Sequence, residues 1–149
     1  MIAFAYDPST NPLNNNEWSF PLLECIHILG FTLSIGTIAI LDLRMLGLAF
    51  VRHPSRELAK SLAPWTLVGL VVMLISGPLI FSSDPNMYLR NISFRLKMYA
   101  LLAAILYNYT LHRWAALREP APVVGKFVAV VSLALWVSVV AGGLFIAFF

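Results

Sequence analysis

Charge is scarce in this sequence: 17 of its 149 residues are Asp, Glu, Lys or Arg, while 60% are hydrophobic. Soluble domains carry about a quarter charged residues and roughly half apolar ones, and a monomer this small has too little interior to hide the excess. Soluble, disordered, secreted and nucleic-acid-binding classes are thereby excluded. Cysteine is nearly absent. The single Cys25 excludes an internal disulfide and any cysteine-based metal cage. No removable leader is expected: Met1 to Trp18 holds Asp7, Glu17 and Asn14-Asn15-Asn16 but no Lys or Arg, so no basic head precedes the apolar run. Phosphate-binding glycine loops, nucleophile triads and zinc signatures are missing, and no catalytic residue is identified.

What is present is a set of long charge-free stretches: Cys25 to Leu41, Ser61 to Ser83, Met98 to His112 and Phe127 to Phe149, of 17, 23, 15 and 23 residues. A bilayer span needs about 20 residues, with a range of roughly 17–25. The third stretch is short because Arg95 and Lys97 sit in its first turn, where long cationic stems reach the headgroups. The expected fold is all-α, a single-domain integral membrane four-helix bundle, with helices over about 20–48, 64–81, 93–114 and 123–148. Pro21 suits a first turn. Pro64 marks the start of the second helix, and Gly77-Pro78 should kink it. Val51 to Ala63 then forms a polar connection, Ser82 to Asn91 a loop turning at Asp84-Pro85-Asn86, and Asn91 or Ser93 a cap for the third helix. Arg44, Arg52, Arg56, Lys60, Arg113, Arg118 and Lys126 fall on one side, against Arg90, Arg95 and Lys97 on the other. The richer side is expected in the cytoplasm, with both termini periplasmic in a bacterial inner membrane. Trp18, Trp65, Tyr88 and Trp114 fall at the interfaces as anchors.

Polar residues inside spans turn away from lipid. Glu24, His27, Ser34 and Thr37 share one stripe of the first helix; Lys97, Ala104, Asn108 and His112 share one of the third. At ~1.5 Å per residue, His27 lies roughly 10 Å below the outer surface, level with Ser76–Gly77, Tyr99–Ala100 and Gly142–Gly143. This layer of small residues admits two readings, close helix packing or room for a flat cofactor ligated by His27. His112 lies about 17–20 Å deeper, so the two imidazoles cannot clamp one heme. Met73 is then the nearest sixth ligand by depth. Glu24 and Lys97 are expected either to form an ion pair or to serve a cofactor, Glu24 orienting His27 and Lys97 receiving an anionic group. Asp42, Arg44, His112 and Arg113 are expected to form a network at the cytoplasmic rim. Trp136 is expected in the core.

Phe20-Pro21-x-x-Glu24-x-x-His27-x-x-Gly30 and Asp42-Leu43-Arg44-x-Leu46-Gly47 resemble the first helix of an uncharacterised family of small bacterial inner-membrane proteins. Pro64-Trp65-Thr66-x-x-Gly69 with Ser76-Gly77 resembles its second helix, Phe94-Arg95-x-Lys97-Met98 with Asn108 and His112 its third, and Ser132-Leu133-x-Leu135-Trp136 its fourth. The resemblance spans nearly the whole chain and implies a fold without an activity. Gly142-Gly143 stands where that family is expected to carry Gly-Arg, which weakens any anion-binding role for the fourth helix. More remotely, the first-helix His and the third-helix Phe-x-x-Lys with an Asn are similar to CopD-type copper-uptake membrane domains. Four-span heme-linked protoporphyrinogen oxidases share the first-helix His and third-helix Lys.

The function expected from these readings is a membrane redox protein that binds a b-type heme, or a quinone, near the periplasmic side. His27 would be the metal ligand, with Glu24, Lys97, Ser76, Tyr99, Gly143 and Met73 around the cofactor. Its partners are the lipid bilayer and a quinone or membrane redox protein for electron transport. The alternatives are a copper-binding or uptake protein using His27, Met73 and Cys25, and a cofactor-free anchor or assembly subunit. A homo-oligomer is compatible with every one of these.

Overall fold

The computed structural model describes residues 6–148. Residues 1–5 and 149, with the two chain ends expected in the periplasm, lie outside the described part. The described chain is helical, with α1 at Ser19–Leu46, α2 at Ser55–Phe81, α3 at Pro85–Arg90, α4 at Ile92–Tyr107, α5 at Arg113–Arg118 and α6 at Pro122–Leu144. A π turn, Asn108–His112, joins α4 to α5, and short 3₁₀ turns cover Pro8–Thr10 and Phe145–Ala147.

Three helices are long and apolar enough to cross a membrane: Ser19–Leu46, Ser55–Phe81 and Pro122–Ala147, of 28, 27 and 26 residues. This is compatible with a multi-pass membrane protein. The α4 segment has 16 residues, but the backbone stays helical through the 5 of the π turn and the 6 of α5. The molecule is apolar on the outside: Leu29 is 70% exposed, Phe127 69% and Val137 62%. Such a perimeter suits lipid contact. Several polar side chains of these helices are turned inward, with Asp42, His112, Ser132, Ser34 and Ser76 all buried.

The core draws on four helices. Ile38 of α1, Leu70 and Met73 of α2, Leu101 and Ala104 of α4, and Trp136 and Val139 of α6 form one buried cluster. α1 and α2 meet backbone to backbone. A Cβ on Gly69 would stand 2.6 Å from the Gly30 carbonyl oxygen and 2.6 Å from the Ser34 nitrogen. Packing of small residues is therefore the role of this part of the interface. α1 ends at Gly47, whose φ of 79° lets its N–H reach the Arg44 carbonyl while Leu48 N–H returns to Leu43. That paired closure satisfies carbonyls a helix end leaves orphaned.

Three local expectations are corrected. The second helix begins at Ser55 rather than Pro64, which lies inside it. The Glu119 carboxylate explains the early start: its Oε1 accepts from the Arg56 N–H at 3.1 Å, capping α2 from a distant part of the chain. Pro64 then removes only the donor to Lys60's carbonyl, and the side chains of both residues are exposed. Ser82–Asn91 is not all loop, because Asp84 accepts from Met87 N–H and starts the short helix α3. Tyr88 is not an interface anchor: it is 8% exposed, packed 6.0 Å from Phe81 and 5.3 Å from Phe94 between ring centroids. The expected cap at Asn91 is present, its side chain accepting from Phe94 N–H.

Residues 6–14 fold against the end of α2. Asn11 Nδ2 donates to the Ser82 carbonyl at 2.7 Å, a carbonyl that also accepts from the Tyr6 hydroxyl, and Asn14 Nδ2 donates to the Ser83 carbonyl at 3.0 Å.

Candidate functional site

Two polar centres lie at different levels of the helices. The outer one is His27. Its Nδ1 lies 2.8 Å from Ser76 Oγ, and Ser76 Oγ lies 2.6 Å from the Val72 carbonyl one turn back. A hydroxyl has one hydrogen, and that carbonyl can only accept. Ser76 therefore donates to Val72 and accepts from the Nδ1–H of His27. In the neutral ring this places the lone pair on Nε2. Gly77 lies beside the ring edge, where a Cβ would meet Cε1 at 3.4 Å, an ordinary van der Waals contact.

Lys97 runs across α6 beside the glycine pair. A Cβ on Gly142 would stand 2.9 Å from Lys97 Cβ, and one on Gly143 3.5 Å from Nζ. The glycines thus make the groove in which this long cation lies. The remaining residues expected at this level do not converge. Glu24 is exposed and makes no ion pair with Lys97 among the described residues. Tyr99 is 73% exposed and faces the perimeter. Met73 is 4% exposed and packs in the core cluster. Cys25 is exposed. Glu24 does sit near enough to Tyr88 to act on it: burial first, then the Glu24 and Asp84 carboxylates, pushes the phenol above its usual range, against a hydrogen bond with Ser83.

Among the described residues, no group of three or more His, Cys, Asp or Glu comes together. The donor set at the outer level is therefore a single oriented imidazole. A group that brings most of its own ligands, such as a porphyrin, would need no more than this from the chain.

The inner centre was only half visible in the sequence. His112 Nε2 lies 2.6 Å from Asp42 Oδ1, and Ser132 Oγ donates to Asp42 Oδ2 at 2.8 Å. Asp42 and His112 were expected together, but at a rim with Arg44 and Arg113. The structure buries them at 0% and 2% exposure and adds Ser132 of α6. Arg44 instead donates to the His53 carbonyl, and Arg113 is exposed. The physical reason is shape: a carboxylate this deep in apolar surroundings needs donors to both oxygens, and α1, the π turn and α6 each deliver one side of that arrangement. His27 and Asp42 stand on the same helix, fifteen residues or roughly 22 Å apart at ~1.5 Å per residue.

Beside the inner centre lies a cavity of about 230 Å³ between α1, α2 and the π turn with α5. Thr37 and Thr66, whose hydroxyls meet at 2.8 Å, line it, as do Asn108 and His112.

Searches among curated proteins and among solved structures gave no match. A sequence profile described as a family of unknown function, DUF6644, matches residues 20–149. By that match, which takes in both polar centres, the chain belongs to the DUF6644 family.

Proposed function

We propose that this is an integral membrane four-helix bundle of a bacterial inner membrane, which holds a b-type heme near the periplasmic side through His27 and serves electron transfer. The α4 segment, the π turn and α5 together supply the fourth span. The surplus of Lys and Arg at the Arg52, Arg56, Lys60, Arg118 and Lys126 end supports a cytoplasmic location for that end.

One observation carries the proposal: Ser76 Oγ lies 2.8 Å from His27 Nδ1 and 2.6 Å from the Val72 carbonyl, and with its hydrogen given to that carbonyl it would accept from Nδ1–H and leave Nε2 as a base. Metal-bound imidazoles are held this way, the second nitrogen donating to an oxygen that fixes ring and tautomer. Lys97, in its groove against Gly142 and Gly143, is the cation available to a propionate. With Met73 in the core and Glu24 and Tyr99 turned outward, His27 is the residue of this chain that would hold the heme iron. A heme bound there supplies one-electron exchange. The residues of the chain would orient the imidazole through Ser76 and hold one negative group at Lys97.

The test is a reduced-minus-oxidised visible spectrum of protein purified from membranes of cells supplied with a heme precursor. The proposal expects a Soret band in the wild type that is lost in His27→Ala. Absence of the band from the wild type, or an unchanged band in the variant, refutes it.

A further inference from the structure

The inner cavity carries a second site, independent of the heme reading. Asn108 is 9% exposed and His112 2% exposed, and both line the cavity. Nε2 of His112 is committed to Asp42. Its Nδ1, and both polar atoms of the Asn108 amide, have no hydrogen-bond partner among the described residues, yet Ser34 Oγ is the one side-chain atom there that is both sealed off and unpaired. The free atoms of Asn108 and His112 are thus open to the cavity. Buried polar groups without partners cost free energy unless something supplies them. They sit on a π turn, a departure from α geometry that often marks ligand sites.

The shape and the walls say what could fill it. A volume of about 230 Å³ corresponds to roughly eight water molecules at about 30 Å³ each. That is room for one substituted ring. Most of the lining is apolar, and the lining residues Leu67 and Tyr109 are 51% and 39% exposed, so the cavity opens on the perimeter where lipid would lie. An acyl chain would meet apolar walls but would leave Asn108 and His112 unpaired at depth. A ligand with oxygen on its leading end pairs them. The amide of Asn108 both donates and accepts. His112, with Nε2–H given to Asp42, presents a lone pair at Nδ1 when neutral and an N–H when protonated. The pair can therefore serve either a carbonyl or a hydroxyl at the same place. We propose that this cavity binds the headgroup of a membrane-soluble quinone, with Asn108 and His112 as its hydrogen-bond partners.

Decylubiquinone titrated into the purified, detergent-solubilised protein tests the assignment, read by tryptophan quenching and by the infrared carbonyl band of the bound quinone. The expected result is saturable binding with a downshifted carbonyl band. Asn108→Leu, which leaves Asp42, His112 and Ser132 intact, should weaken binding about tenfold, the value of one hydrogen bond to the ligand. Ala63→Phe, which fills the cavity wall, should abolish it. His27→Ala should leave it unchanged, which separates this site from the heme. Non-saturable partition, or equal binding by wild type, Asn108→Leu and Ala63→Phe, overturns the proposal. So does displacement of the quinone by palmitate at equal concentration, which would make the cavity an acyl-chain site.

Discussion

His112 Nε2 stands 2.6 Å from Asp42 Oδ1, an ion-pair geometry between two buried residues 70 apart in sequence. Ser132 completes it from α6. The contact ties α1 to the π turn and α6 where the outer walls are apolar, so its members depend on each other. Removing one partner of a buried pair costs about 3–5 kcal/mol, because the other is stranded, whereas replacing both by apolar groups is often near neutral. His112→Leu should therefore destabilise strongly, Ser132→Ala by roughly 1–2 kcal/mol, and Asp42→Leu with His112→Leu less than His112→Leu alone. Thermal unfolding in detergent checks the order. A double variant that loses the sum of both single losses would contradict this coupling.

The α1–α2 interface makes a sharper demand. At Gly69 an added methyl group meets backbone atoms of Gly30 and Ser34 at 2.6 Å, while at Gly36 nothing lies within 4 Å. Gly69→Ala should cost about 1–3 kcal/mol through forced separation of the helices. Gly36→Ala should be neutral or slightly stabilising, since alanine is the better helix former. Equal melting temperatures for the two variants would contradict the close approach.

Tyr88 gives a pH signature outside the spans. Burial and the carboxylates of Glu24 and Asp84 raise its phenol above the ordinary value of 10.0. A group that holds its proton more tightly when folded adds stability below its unfolded pKa, and that stability is lost as pH rises through the folded value. Wild-type stability should thus fall with alkaline pH, beginning above about 10. Tyr88→Phe should show a shallower fall over the same window. Identical alkaline profiles for the two proteins would show that Tyr88 ionises as an exposed phenol does.

Much of this arrangement is legible in the residues. Charge-free stretches locate the long helices, Asn91 announces a cap, and counting ~1.5 Å per residue sets His27 and Ser76 at one depth. The missed parts are non-local. Pro64 looks like a helix start because the cap that lets α2 begin at Ser55 comes from Glu119, 63 residues away from Arg56. Asp42 looks like a rim charge because its second donor, Ser132, is carried by another helix 90 residues on. Counting along a regular helix puts Asn108 and His112 on one face, but it cannot foresee the π turn that carries them or the cavity they line. Tyr88 looks like an interfacial anchor by position, and only the fold of α3 brings Phe81 and Phe94 around it.

The central claim concerns the Nε2 of one imidazole, and ligand replacement tests it most directly. His27→Gly leaves a space beside Ser76 of the size of the missing ring, into which free imidazole can diffuse. The account predicts that the purified variant shows no heme absorption alone and regains the wild-type Soret band when heme and imidazole are added together. Restoration by heme without imidazole, or a variant indistinguishable from the wild type throughout, would contradict His27 as the ligand.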